Sequence, residues 1–155
     1  MSRYPAALDE IIELFEMLSE EERRELLISY ADAAARHEPA GDEVFDLEDV
    51  RKDEECTDTV GVFLRVDEAD GDRVEFRISL GSKVQTLTRA MTAILCKGLN
   101  GTRAGAVLDV PADFVPRIVG AELVRLRSQT VYYVLGRMKA AVKVYLNRRR
   151  AAAAG

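Results

Sequence analysis

Val60-Gly61-Val62-Phe63-Leu64-Arg65-Val66, followed by Ala69-Asp70-Gly71-Asp72 and then Arg73-Val74-Glu75-Phe76-Arg77-Ile78, is the most regular passage in the chain. Val60, Val62, Leu64 and Val66 recur every second residue, so they share one face of a strand, while Phe63 and Arg65 fall on the other. The second run alternates in the same way. Between them, Asp-Gly chemistry supplies the left-handed backbone that a tight reversal requires. The passage is a β-hairpin with one apolar face, and that face must be covered.

What precedes and follows it is helical. Leu8, Ile11, Ile12, Phe15 and Leu18 recur at steps of three and four, the signature of one helical face. Ser19-Glu20-Glu21-Glu22 then has the form of a capping box, opening a second helix that presents Leu26, Leu27, Tyr30 and Ala34 and stops before Pro39. Residues 39–55 are acidic and poor in apolar side chains, and read as a surface loop with a short turn near Phe45 and Leu47. Beyond the hairpin a helix is expected from about Val84, with Leu87, Met91, Ile94 and Leu95 inward and Gly98 as its C-terminal cap. Asn100-Gly101 makes a turn, and Pro111 and Pro116 punctuate two short helices at Ala104–Leu108 and Ala112–Ile118. A last helix runs from about Ser128 to Arg148 and buries Val131, Val134, Leu135, Met138, Val142 and Tyr145. Strands do not alternate with helices, so a doubly wound parallel sheet is disfavoured. The expected class is α+β: a small antiparallel sheet, the hairpin with room for one further short strand, covered by helices.

The chain has 155 residues, 48% of them hydrophobic and 32% charged, enough for one domain with a substantial core. A single unit over 1–155 is expected, its core at about 8–146 and a basic, alanine-rich tail at 147–155. No apolar run reaches membrane-spanning length, and Met1-Ser2-Arg3-Tyr4-Pro5 lacks the character of a secretory leader, so a cytoplasmic protein is expected. The net charge of -5 conceals an asymmetry, with 18 acidic and 6 basic residues up to Glu55 against 9 and 16 after it. The basic half intersperses its charges with apolar residues, and Arg148-Arg149-Arg150 suits a helix C-terminus, so nucleic-acid binding is disfavoured.

Two cysteines and one histidine leave little for a zinc site, a cluster scaffold or a histidine triad. Cys56 is placed most like a reactive group, at the end of Arg51-Lys52-Asp53-Glu54-Glu55 and directly before the first strand. Its thiolate is the reactive form, and Asp53, Glu54, Glu55 and Asp58 oppose ionisation unless a cation stands close. The plain alternative is a half-buried cysteine that merely starts a strand. Cys96 reads as a small buried apolar residue, and a Cys56–Cys96 disulfide is disfavoured in a reducing compartment. Ser128 is a candidate cap for the last helix, and Arg127 beside it is able to extend a guanidinium toward an anionic sulfur, or else simply packs its stem on the sheet. His37, at a helix end, is conceivable as a base for Cys56, though nothing in sequence orients it. Asn100-Gly101-Thr102 has the form of a glycosylation acceptor and reads only as a turn.

Several segments taken in order carry a family resemblance. Glu22-Arg23-Arg24-Glu25-Leu26-Leu27-Ile28-Ser29-Tyr30-Ala31, Glu55-Cys56-Thr57-Asp58-Thr59-Val60, Thr88-Arg89-Ala90-Met91-Thr92-Ala93-Ile94-Leu95 with Gly98-Leu99-Asn100-Gly101, Val110-Pro111-Ala112-Asp113-Phe114 and Leu126-Arg127-Ser128-Gln129 follow the landmarks of one group. From about Leu8 to Val144 the chain resembles the SufE-type sulfur-acceptor proteins, partners of cysteine desulfurases in iron–sulfur cluster assembly. It departs from the usual pattern at Glu55, Thr57, Asp58 and Ala90. The resemblance implies a SufE/NifU-like two-layer fold. It implies that Cys56 accepts persulfide sulfur from a SufS-like, pyridoxal-phosphate-dependent desulfurase and passes it to an Fe-S scaffold, with Arg127 as a stabiliser of anionic sulfur. The chain would need no cofactor or metal of its own, and would act as an accessory that stimulates the desulfurase rather than as a stand-alone enzyme. A persulfide must be sheltered between partners, so inward and outward states are expected of the Asp53–Thr59 loop, the inward one in an apolar pocket over the hairpin. Two alternatives stay open: a non-catalytic SufE-fold module that only docks on a desulfurase or another protein, and a thiol enzyme that pairs Cys56 with His37.

Overall fold

The computed structural model describes residues 3–52 and 58–154, with the backbone alone over 121–131. Among the described residues six α-helices pack with a three-stranded antiparallel sheet, an α+β architecture: α1 (Ala6–Met17), α2 (Glu20–Ala33), β1 (Leu47–Lys52), β2 (Thr59–Asp67), β3 (Arg73–Leu80), α3 (Thr86–Leu99), α4 (Ala104–Leu108), α5 (Val115–Val119) and α6 (Ala121–Ala154). The strands lie in the order β1-β2-β3. No helix among the described residues is long and apolar enough to cross a membrane.

The hairpin forms in the expected register. Val60 faces Leu80, Val62 faces Ile78, Leu64 faces Phe76 and Val66 faces Val74, so these eight residues lie on one face, and all but the partly exposed Leu80 are buried. The reversal places Gly71 and Asp72 at φ of 69° and 60°, the left-handed region that Asp-Gly sequences tolerate. The capping box at Ser19 also forms: Glu22 N–H donates to Ser19 Oγ at 3.2 Å and Ser19 N–H to Glu22 Oε1 at 3.1 Å.

Helix α3 is the centre of the molecule. It packs against α1, α2, β3 and α6, and its buried residues run around the whole helix rather than along a single stripe. Gly98 lies inside this helix, and Asn100, not Gly98, ends it. The glycine is needed for closeness: a Cβ there would stand 2.9 Å from Leu8 Cβ, so its absence lets α1 approach α3. After α3, Asn100-Gly101-Thr102 turns back onto the outer edge of β3. Val74 N–H donates to Thr102 O at 2.8 Å, Gly101 N–H to Val74 O at 2.9 Å, and the Asn100 side chain accepts from Phe76 N–H at 2.7 Å. That edge is therefore closed.

Two expectations are corrected. The segment 39–55 is not wholly loop, because Leu47–Lys52 forms the third strand. Only Leu47 of it is buried, which is why its sequence looks like loop. Its reason to exist is the backbone of β2, whose amides and carbonyls on that side need partners. The last helix begins at Ala121 rather than Ser128 and continues to Ala154, so Ser128 sits within it and the alanine-rich tail is helical. Gly120, at φ 85°, ends α5, and Ala-Glu-Leu-Val-Arg-Leu-Arg are good helix formers that start the next helix at once.

Helix α6 crosses the buried face of β1 and β2. Val134, Leu135, Met138 and Val142 are buried there as expected, but so is Arg137, only 3% exposed. Its guanidinium donates to Val60 O at 2.6 Å and to Asp49 O at 2.6 Å, and pairs with the Asp49 carboxylate at 3.0 Å. One buried cation thus joins the edge strand, the central strand and the long helix. Replacing it with Met keeps the bulk and abandons three acceptors, so Arg137→Met is expected to lower stability by about 2–4 kcal/mol. In a domain of this size that is roughly 5–15 °C in Tm, measurable by calorimetry; an unchanged Tm would refute the role.

Candidate functional site

The last described pair between β1 and β2 is Lys52 opposite Thr59. The chain that joins them carries Cys56, which lies outside the described residues, as do Asp53, Glu54, Glu55 and Thr57. The expected apolar pocket for the Cys56 side chain and the two states of its loop lie outside them as well. What the structure describes is the frame on which that segment is hung.

The frame begins at Asp58, two residues along the chain from Cys56. One carboxylate oxygen accepts from Thr59 N–H at 2.7 Å and the other from Lys83 N–H at 2.7 Å. These backbone donors, Lys83 first and Thr59 second, hold the Asp58 carboxyl below its ordinary value, with the Lys83 and Lys52 cations adding to the effect. The turn that receives it is held in its own right. Gly81 N–H donates to Thr59 O at 2.9 Å, and on α3 the Arg89 guanidinium donates to Gly81 O at 2.6 Å and Val84 O at 3.1 Å. Gly81 is required here, since a Cβ would fall 2.2 Å from the Asp58 carboxylate. A continuous line of polar contacts therefore runs from the central helix through the 81–84 turn to the residue that closes the cysteine-bearing segment.

Asp58, expected to oppose a thiolate, is held as an anion by two backbone amides, with the Lys83 and Lys52 cations acting on it as well. The sequence departure at Asp58 therefore has a structural use.

The two thiols part company. Cys96, on α3, is free and fully buried, and burial pushes its thiol up to about 12, with Arg77 opposing and Glu75 adding a little. It is a core residue, as expected. His37 is half-buried on a short 3-10 turn (Ala34–His37) packed against α3 and β3. Burial first, and then the Arg77 cation, push it below its usual value. Its electrostatic neighbours Glu75 and Arg77 lie five and three residues along β3 from Leu80, the residue at the Cys56 end of the sheet. Nothing described brings His37 to that end.

Arg127 lies in α6, ten residues before Arg137. Helix α6 runs along the sheet from Asp72, bound by Arg149 at 2.6 Å, to Val60, bound by Arg137. Continued in the same direction, its backbone carries position 127 about 15 Å further, past the Val60 end of the sheet. Sequence reasoning missed Arg137. Its signal was there: position 137 falls on the buried stripe of Val134, Met138 and Ala141, where a lone arginine demands acceptors. Asp58 gave no such signal, because the Lys83 amide that holds it lies 25 residues along the chain, and Arg89 gave none, because its acceptors are the backbone carbonyls of Gly81 and Val84 in a turn. Among the described residues no group of three His, Cys, Asp or Glu side chains gathers where it could hold a metal.

The comparisons with known proteins come to the same fold. The model of the SufE family, described as an Fe-S metabolism associated domain, matches residues 9–142. The solution structure of a hypothetical protein from Thermus thermophilus superimposes with a TM-score of 0.72 at 27% identity, over 93% of this chain and 98% of the other. No curated protein matches.

Two outcomes follow from the site. Asp58→Ala should speed hydrogen exchange at the Lys83 and Thr59 amides at pH 7. In the wild type the same loosening should appear only in acid: the depressed carboxyl stabilises the fold above its unfolded value of 3.8, and that contribution is lost as pH falls through the lower folded value. Equal protection in variant and wild type would remove Asp58 from the frame. Cys96 should resist iodoacetamide at pH 8 until the protein is unfolded, read by peptide mass spectrometry.

Proposed function

Since the chain belongs to the SufE family, a domain associated with Fe-S metabolism, we propose that it is a sulfur carrier that accepts persulfide sulfur from a cysteine desulfurase on Cys56. The observation that carries the proposal is the fate of the other thiol. Cys96 is sealed in the core and protonated far above neutral pH. A sulfur-accepting role in this chain therefore falls to Cys56.

The step is a thiol exchange. The Cys56 thiolate attacks the terminal sulfur of the donor's persulfide, a new sulfur–sulfur bond forms on Cys56, the donor's internal sulfur–sulfur bond breaks, and the donor cysteine leaves as thiolate. Nothing is oxidised or reduced overall. The rate depends on the thiolate fraction of Cys56, which a nearby cation favours, and Lys52 and Lys83, the two cations that act on Asp58, are proposed for that role. Arg127 is proposed as a stabiliser of the anionic sulfur, supported by the course of α6 toward this end of the sheet. The loaded sulfur is then released by the same exchange to a cluster scaffold. The proposal takes residues 1–155 as one functional domain acting beside its desulfurase in the cytoplasm.

The test is mass spectrometry of the protein after incubation with a cysteine desulfurase and free cysteine. A gain of one sulfur is expected, abolished in Cys56→Ser and retained in Cys96→Ala. Arg127→Ala should slow the gain by about tenfold, the effect of removing one charge-assisted contact of roughly 1.4 kcal/mol. A wild-type protein that binds the desulfurase yet gains no sulfur would overturn the carrier reading in favour of a docking module.

A further inference from the structure

The sheet has one closed edge and one open one. β3 is covered by Asn100–Thr102, whereas β1 has no strand on its other side among the described residues. The pairing parity shows which of its groups are free. Gly81 N–H donates to Thr59 O, so Thr59–Gly81 and every second pair along β2 and β3 are the hydrogen-bonded kind. The intervening residues of β2, Val60, Val62 and Leu64, therefore turn their backbone groups to β1, where they meet Arg51, Asp49 and Leu47. The amides and carbonyls of Glu48, Val50 and Lys52 are left pointing outward.

We propose that this edge is a self-recognition surface, and that it takes the β1 of a second copy, antiparallel, about a two-fold axis at Val50. The order of charges in Leu47-Glu48-Asp49-Val50-Arg51-Lys52 selects that partner. An antiparallel partner must oppose outward residue to outward residue. Centred on Val50, the pairing sets Glu48 against Lys52 and Asp49 against Arg51, twice each, with Val50 against itself. Every charged pair is of opposite sign, the arrangement that stabilises cross-strand neighbours. The two neighbouring registers are rejected by the same side chains: one sets Asp49 against Asp49, the other Arg51 against Arg51. Glu48 and Lys52 are exposed, and neither has a hydrogen bond or ion pair among the described residues. Val50 is 54% exposed, a solvent-facing apolar residue at the point the axis would cover. Charges on an edge strand ordinarily repel strand addition; here both signs are arranged so that the strand complements its own reversed copy. The interface is isologous, so it closes as a dimer and does not propagate. Lys52 also stands at the root of the Cys56 segment, so the readouts that follow are mass and cross-linking, not sulfur gain.

The experiment is light scattering coupled to gel filtration on the full chain at rising concentration. The wild-type mass should climb from 17.2 kDa toward twice that value in the high micromolar range. Glu48→Lys alone and Lys52→Glu alone should each remain monomeric, since each opposes like charges at two places. An equimolar mixture of the two variants should recover the dimer, because the lysines of one then face the glutamates of the other. As a check that does not depend on charge, Val50→Cys in a Cys56→Ser background should cross-link to a dimer under mild oxidation, and adding Lys52→Glu should abolish it. A wild type that stays at 17.2 kDa, or a mixture that stays monomeric, overturns the proposal, as does a wild-type dimer that both charge variants leave intact.

Discussion

A buried positive charge that must be satisfied organises the business end of this molecule. Arg137 enters the apolar face of the sheet from α6 and finds its acceptors on two different strands. A guanidinium in such a place is tolerable only if its donors are matched, and matching them fixes the spacing of β1, β2 and α6 together. The apolar contacts around it set how well these elements pack, but they are non-directional and would accept a slide of one element along another. The cation does not accept one, because its acceptors are single atoms. The geometry at the root of the Cys56 segment therefore descends from a residue far outside it in sequence.

A second chain of contacts reaches that root from the opposite side. Arg89 on α3 holds the carbonyls of the 81–84 turn, that turn offers the Lys83 amide to Asp58, and Asp58 abuts the segment. The residues on either side of the Cys56 segment are thus held by contacts from α6 on one side and α3 on the other. A rigid frame with a short span between its posts is a common way to make a reactive side chain both accessible and placed.

Much of the fold was legible because it is written in periodicity. The hairpin and the capping box at Ser19 depend on local spacing and formed as read, as did Leu8, Ile11, Ile12 and Phe15 on α1 and Val134, Leu135, Met138 and Val142 on α6. Helix α3, by contrast, is buried on nearly every side, and Leu18, Leu87 and Tyr145 are only partly buried. Strand β1 was not legible because an edge strand with one buried residue carries no alternation. It is created by the needs of its neighbour. The start of α6 was misread because Ser128 offered a plausible cap, while the real signal was Gly120, whose backbone angle only the folded chain reveals. At the site, the core character of Cys96 followed from its apolar surroundings, and Arg137 stood visibly on an apolar stripe. Asp58 read only as an acid beside a thiol, since the Lys83 amide that gives it a structural role comes from a turn 25 residues away.

The closure of the β3 edge by Asn100 bears on how the chain ages. Asparagine followed by glycine is the pairing most given to spontaneous deamidation, in which the glycine nitrogen attacks the side-chain carbonyl and ammonia departs. Here the Gly101 nitrogen is engaged with Val74 O, and the Asn100 amide donates to Phe76 O while accepting from its N–H. Nucleophile and leaving group are both immobilised, and the fold that this dipeptide completes shields it in turn from its own chemical clock. An aspartate formed there would set a negative oxygen against a carbonyl and open the seam that the amide now keeps shut.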